Sequence, residues 1–167
     1  MGRYRPPAAP KSPYITPAGY RRLKAEEKAI WKRRREVTAA LSAAAAEGDR
    51  SENAEYIYRK KELREIDRRI RYLQKRLPTL KIVDRLPGDL DRVYFAAWVT
   101  LADAEGEEVC YRIVGPDEID HDSGYISMDS PLARALLGKA DGDEVAVETP
   151  SGRRHYDIVE IRYEPDV

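Results

Sequence analysis

The chain has 167 residues, 36% of them charged, and its 30 basic and 30 acidic side chains cancel to a net charge of zero. The balance is uneven: residues 1–84 carry 22 Lys and Arg against 11 Asp and Glu, whereas residues 85–167 carry 8 against 19. One cysteine, Cys110, excludes a disulfide framework and a cysteine-built zinc site, and no apolar run approaches the ~18–20 residues that span a bilayer. With no apolar secretion signal at the N-terminus, the expectation is a soluble, cytoplasmic protein. Its two oppositely charged halves should meet different partners, or different parts of one.

Residues 1–15 contain Pro6, Pro7, Pro10 and Pro13 among few apolar anchors and read as a disordered tail. Thr16-Pro17 is a helix start, with Thr16 suited to cap and Pro17 to the first helical position. Nothing then breaks the helix before about Ala46. Leu23, Ile30, Val37 and Ala44 recur every seven residues as a seam, interrupted by Glu27 and Arg34. The segment 48–56, Gly-Asp-Arg-Ser-Glu-Asn-Ala-Glu-Tyr, is a short acidic break between two basic helices. In the second helix Leu63, Ile66, Ile70, Leu73 and Leu77 alternate spacings of three and four, with Tyr56 one heptad before Leu63. Pro78 ends it. The simplest arrangement is an antiparallel α-helical coiled-coil hairpin over residues 16–84, its arms roughly 45 Å long and its acidic tip at 48–56.

After Pro87-Gly88 the apolar period changes to two. Residues 93–101 read as a strand and 108–114 as its neighbour across a turn at Gly106. Ser130-Pro131 opens a short helix to Leu137, stopped by Gly138. Residues 144–149 and 155–163 form a final hairpin about Pro150-Ser151-Gly152. Residues 85–167 thus predict an antiparallel β-sheet domain with a short helix, making the whole chain α+β. His121 and His155 sit apart without metal-ligand spacing, and Ser123 beside Asp122 and His121 is not a triad by adjacency. As a free-standing enzyme the chain shows no active site.

The acidic tip has two readings. Asp49 and Glu52 have capping-box spacing, and acids are favoured at a helix N-terminus. Asp49, Glu52 and Glu55 are also spaced by three, which on a helix stacks carboxylates along one stripe, and capping does not require the third. Two or three exposed carboxylates do not hold Mg²⁺ alone, because the ion takes six oxygen ligands. The tip would serve metal chemistry only inside a partner that supplies the rest.

The segment 48–56 resembles the tip motif of the bacterial Gre transcript-cleavage factors. The similarity continues through residues 60–73, 80–84, 111–115 and 127–137, covering about residues 14–164. Arg50-Ser51, Trp31 and the heavily basic second helix favour the branch of that family whose arm carries an RNA-tracking patch. The resemblance implies an FKBP-like fold for the sheet domain, which would dock at the secondary channel of bacterial RNA polymerase. It also implies an arm that enters the channel when the enzyme has backtracked. Asp49 and Glu52 would then act as the catalytic carboxylates, sharing a Mg²⁺ with the polymerase and orienting water for cleavage of the extruded RNA 3′ end. Glu55, Asn53 and Arg50 would support them. Arg33, Arg34, Lys60, Lys61, Arg64, Arg68 and Arg71 are the RNA-binding candidates, and Asp129, Ser130 and Pro131 the docking candidates. The expected factor is a monomer that activates polymerase rather than an enzyme by itself. Rival readings are an inhibitor occupying the same channel, an adaptor whose tip acids only cap a helix, and a prolyl isomerase.

Overall fold

The computed structural model describes residues 6–48, 53–165 and 167. The chain divides into two compact units, one made of the residues up to Gly19 together with those from Lys81 on, the other of Tyr20–Leu80.

The second unit is the helical hairpin. Helix α1 (Pro17–Ala45) begins where the cap signal predicts, with Gly19 N donating to Thr16 Oγ1 at 3.1 Å. Helix α2 (Ala54–Arg76) gives way at Leu77–Thr79 to a 3₁₀ turn carrying Pro78. Ion pairs Glu26–Arg69, Arg33–Glu62 and Arg34–Asp67 join the helices. Asn53 Nδ2 donates to Ala44 O. From Glu26–Arg69 through Arg33–Glu62 to Ala44–Asn53 the numbers rise on one helix as they fall on the other, so the helices run antiparallel. Val37, Ile66 and Ile70 are buried between them, flanked by Ile30 and Leu63. The seam thus falls on the residues the heptads select.

The first unit is built on a five-stranded sheet. Its strands are β3 (Trp98–Ala102), β4 (Glu108–Val114), β5 (Tyr125–Ser127), β6 (Glu144–Thr149) and β7 (Gly152–Arg162), in the order β5-β4-β3-β7-β6. Helix α3 (Pro131–Leu136) starts at Ser130, whose Oγ accepts from Ala133 N at 3.2 Å. Its Ala133 and Leu136 join Val93, Ala97, Val99, Leu101, Ile113, Val145 and Ile158 in the core. Two short strands, β1 (Tyr14–Ile15) and β2 (Lys81–Ile82), pair in parallel beside the sheet.

Four expectations need correction. The strand expected from Val93 starts only at Trp98, because Ala96 sits at φ 71°. A left-handed alanine is uncommon and kinks the chain before the sheet begins. Within the five-stranded sheet pairing is antiparallel except between β4 and β5, which run parallel, and β5 is not among the expected strands. The last strand starts at Gly152 rather than His155. Finally, the expected tail stops short of Ser12. Ile15 is fully buried, and Ser12 donates through both its N and its Oγ to the Asp129 carboxylate.

Candidate functional site

The acidic connection between α1 and α2 holds the first candidates. Asp49, Arg50 and Glu52 lie outside the described residues. The cap of α2 is Asn53, not Asp49: its backbone is extended at φ −84°, ψ 101°, and its side chain accepts from Tyr56 N at 3.1 Å. The extended residue at 53 starts α2 at Ala54, and of the three carboxylates in the expected stripe only Glu55 is among the described residues. Asn53 also reaches back to Ala44 O at 2.8 Å, tying the end of one helix to the start of the next. Glu55 lies in the first turn of α2, where the helix dipole favours an acid, and pairs with Arg59 at 2.8 Å.

Along the hairpin the basic candidates fall into two groups. Arg33 and Arg34 are committed between the helices. Arg33 meets Glu62 at 2.7 Å and Glu36 at 3.4 Å, and Arg34 meets Asp67 at 2.8 Å. Glu62 also takes Arg59 at 3.0 Å, so one carboxylate bridges two guanidiniums. Partial burial pushes the Glu62 carboxyl up, but the hydrogen bonds from Arg33 and Arg59 outweigh it and hold the group below the usual carboxylate range. The same bonds hold both arginines more firmly protonated, Arg33 chiefly through Glu62 and Arg59 chiefly through Glu55.

The other group faces outward. Lys61, Arg64, Arg68 and Arg71 are exposed and follow one another at spacings of three and four, a single stripe along α2 that Lys75 extends. None of these five forms an ion pair with a described residue. Lys60, also exposed, stands 5.7 Å from the Tyr56 ring centroid. The cations that the helix register places opposite carboxylates are neutralised, and those on the outer face keep their charge available.

In the sheet unit the docking candidates have structural duties. Asp129 accepts from Ser12 and donates its N to Ser127 Oγ at 3.0 Å, Ser130 caps α3, and Pro131 occupies the first position of that helix, exposed. His155 lies on the surface, its Nδ1 3.0 Å from Glu144 Oε1.

Two features of this unit escaped the sequence reading. The first is Glu118, only 2% exposed, whose carboxylate accepts from Thr16 N at 3.1 Å, from Thr16 Oγ1, and from Gly115 N at 2.9 Å. It clasps the start of α1, and Gly19 must lack a side chain because a Cβ there would lie 2.0 Å from Glu118 Oε1. Gly115 is equally constrained, by Tyr14 O at 2.0 Å. The second is a cross-strand row, Tyr125–Arg112–Trp98–Arg162, in which each residue is the register partner of the next. The Arg112 guanidinium is buried at 4% exposure, 5.8 Å from the Trp98 ring and 5.6 Å from that of Tyr125, with Arg162 5.1 Å over Trp98. Glu164 closes the row, accepting from Trp98 Nε1 at 2.9 Å and lying 3.7 Å from Arg112 Nη2. Neither feature has a local signal. Glu118 is 102 residues from Thr16, and the row exists only once four strands are in register.

A helical hairpin with an acidic turn and a basic outer stripe, joined to a small sheet domain, defines the class. Family models match both parts: "Transcription elongation factor, N-terminal" over residues 13–82 and "Transcription elongation factor, GreA/GreB, C-term" over residues 87–163. The chain belongs to the GreA/GreB family of transcription elongation factors. Among its relatives, it is 59% identical to transcription elongation factor GreB of Pseudomonas aeruginosa over 99% of both chains. It is 57% identical to GreB of Xanthomonas axonopodis pv. citri over 98% of both. The crystal structure of GreA factor homolog 1 (Gfh1) of Thermus thermophilus is also similar, at 29% identity over 89% of this chain and 97% of that one, with a TM-score of 0.42.

Proposed function

We propose that this protein enters the secondary channel of backtracked bacterial RNA polymerase and stimulates cleavage of the extruded RNA 3′ end, working in the cytoplasm as a monomer and without enzymatic activity of its own. The observation that carries this reading is the exposed cationic stripe Lys61-Arg64-Arg68-Arg71, which forms no ion pair with a described residue and runs along α2 toward the acidic segment at its N-terminus. A plain adaptor has no need to keep these charges free while neutralising Arg33, Arg34, Arg59 and Arg69 in ion pairs. Single-stranded RNA, by contrast, is bound electrostatically along such a groove or stripe.

In this reading Asp49 and Glu52 are the reacting end of the arm. Carboxylate oxygens suit a hard divalent cation, and two of them leave most of the six positions around Mg²⁺ to be filled by the polymerase, its substrate and water. Held jointly by Asp49, Glu52 and the polymerase, such an ion would supply charge stabilisation for phosphodiester cleavage. The chain's own residues deliver and aim these acids. Asn53 ties the start of α2 to the end of α1, Glu55 and Arg59 brace the first turn of α2, and the stripe holds the RNA phosphates. Asp129, Ser130 and Pro131 are the proposed contact with the channel mouth, and the neighbouring Ser12–Asp129 bonds hold that loop in shape.

The test uses stalled, backtracked polymerase with Mg²⁺ and either the natural protein or its Asp49→Asn/Glu52→Gln variant. Release of 3′ fragments by the first, and binding without release by the second, is the expected result. Binding of the natural protein with no cleavage, or with slowed elongation, overturns the reading in favour of a channel inhibitor.

A further inference from the structure

Tyr58 carries the largest exposure of any big apolar side chain among the described residues, 61%, and its neighbour Ile57 follows at 53%. Singly exposed aromatics are ordinary on protein surfaces. Two things set this one apart. It lies in the second turn of α2, three residues before Lys61 and so about 60° around the helix from it, at the flank of the stripe's end nearer the acidic segment. It is also held beside a fixed cation. The Arg59 guanidinium is 5.5 Å from the Tyr58 ring centroid, and Glu55 and Glu62 anchor that guanidinium at 2.8 and 3.0 Å.

We infer that Tyr58 is a stacking platform for one nucleobase of the single-stranded RNA whose phosphates follow Lys61, Arg64, Arg68 and Arg71. This rests on the cleavage reading above and adds a base contact to it. Along the helix axis the backbone positions of Tyr58 and Lys61 are about 4.5 Å apart, short enough for one nucleotide to engage both side chains. The aromatic face takes any base, and the neighbouring guanidinium strengthens the stack. With Arg59 already braced by two carboxylates, the ring is presented at little further ordering cost. The consequence is stepwise registration: phosphates on a uniform stripe can slide continuously, whereas a base stacked at Tyr58 seats the RNA in whole-nucleotide steps.

The experiment measures cleavage in backtracked complexes against factor concentration, with RNA that is intact or carries one abasic nucleotide at successive extruded positions. The proteins are the natural chain, Tyr58→Ala, Tyr58→Trp and Ile57→Ala, each checked for unchanged helicity. Tyr58→Ala should raise the half-saturating concentration about tenfold, within the range for losing one base–aromatic stack, and change the saturated rate much less. Tyr58→Trp should match or better the natural protein. One abasic position should reproduce the Tyr58→Ala loss in the natural protein and add nothing to it in the variant. If the loss is the same on intact RNA and at every abasic position, or Ile57→Ala loses as much as Tyr58→Ala, the patch contacts protein instead and the inference is overturned. Absence of cleavage by the natural protein overturns the parent reading, a result distinct from cleavage that ignores residue 58.

Discussion

The hairpin and the sheet unit solve the problem of stability in different ways. The sheet unit buries a core of nine apolar residues drawn from its strands, α3 and the segment before β3. In the hairpin Val37, Ile66 and Ile70 form a smaller cluster, Leu23, Ala44, Leu73 and Leu77 are buried along the helices, and ion pairs line the flanks. Two helices offer each other one narrow seam, so the rest of their surface stays in water. What this teaches is a division of labour. The sheet unit spends its residues on packing, whereas the hairpin keeps most of its residues on the outside, where the stripe and Tyr58 are.

The largest effect expected from that contrast is in the sheet core. Leu136→Ala removes a fully buried side chain beneath the sheet and should cost about 2–5 kcal/mol, read as a lowered calorimetric midpoint. Ile70→Ala in the hairpin should fall at the low end of that range, because its thin surroundings collapse more easily. An equal or larger loss at Ile70 would break the comparison. Next comes the clasp. Glu118→Ala leaves the Thr16 N–H, the Thr16 hydroxyl and the Gly115 N–H without their acceptor, and unsatisfied buried groups cost about 1–3 kcal/mol. Hydrogen exchange at the amides of Thr16 and Gly115 should accelerate, and unchanged protection would show the clasp to be idle.

The two units should also lose stability at opposite ends of the pH scale. Glu62 is held below its unfolded value, so its contribution to the hairpin is complete above about pH 4.3 and is lost as pH falls through the lower folded value. Glu62→Gln should flatten that acid-side decline in helicity. In the sheet unit, burial pushes Tyr163 up, and its hydroxyl donates to Arg92 O while accepting from Tyr94 N. That contribution is complete below about pH 10 and is lost as pH rises through the higher folded value. Tyr163→Phe should remove the alkaline-side loss at some cost in stability at neutral pH. A hairpin that fails on the alkaline side first would contradict the assignment.

The smallest effect separates free cations from paired ones. The slope of log affinity for a backtracked complex against log salt should shrink by about 0.7 for each of Lys61→Ala, Arg64→Ala, Arg68→Ala and Arg71→Ala. Arg33→Ala and Arg34→Ala should leave it unchanged. Equal changes at all six positions would mean that the ion pairs open when RNA arrives.

Much of the fold was legible because its signals are local. Thr16-Pro17 marked the start of α1 and Pro78 the end of α2, the heptads selected the seam, and the limits expected for β4 and α3 agree with the structure to within a residue. Local rules failed where something distant competed. The β-branched and aromatic residues at 93–97 look like strand, yet the left-handed Ala96 lets its N–H reach Ile113 O at 2.7 Å and its carbonyl take Arg112 Nε at 3.2 Å. Asp49 and Glu52 fitted a capping box, but Asn53 lies nearer the helix start and also reaches the other helix. The proline-rich segment looked free, and Ser12 to Ile15 are nonetheless held by β2 and Asp129.

The sequence by itself determined the helices, the acidic break between them, the sheet domain and the family, since caps, breakers, periodicities and motifs are properties of neighbouring residues. Tertiary structure decided which side chains are free to act. A basic helix shows many cations, and only the register between α1 and α2 determines that Arg33 and Arg34 face carboxylates while Lys61, Arg64, Arg68 and Arg71 face water. Likewise only the closed fold brings Glu118 to Thr16 and lines up Tyr125, Arg112, Trp98 and Arg162. Such contacts depend on the separation of groups in space, which spacing along the chain does not encode.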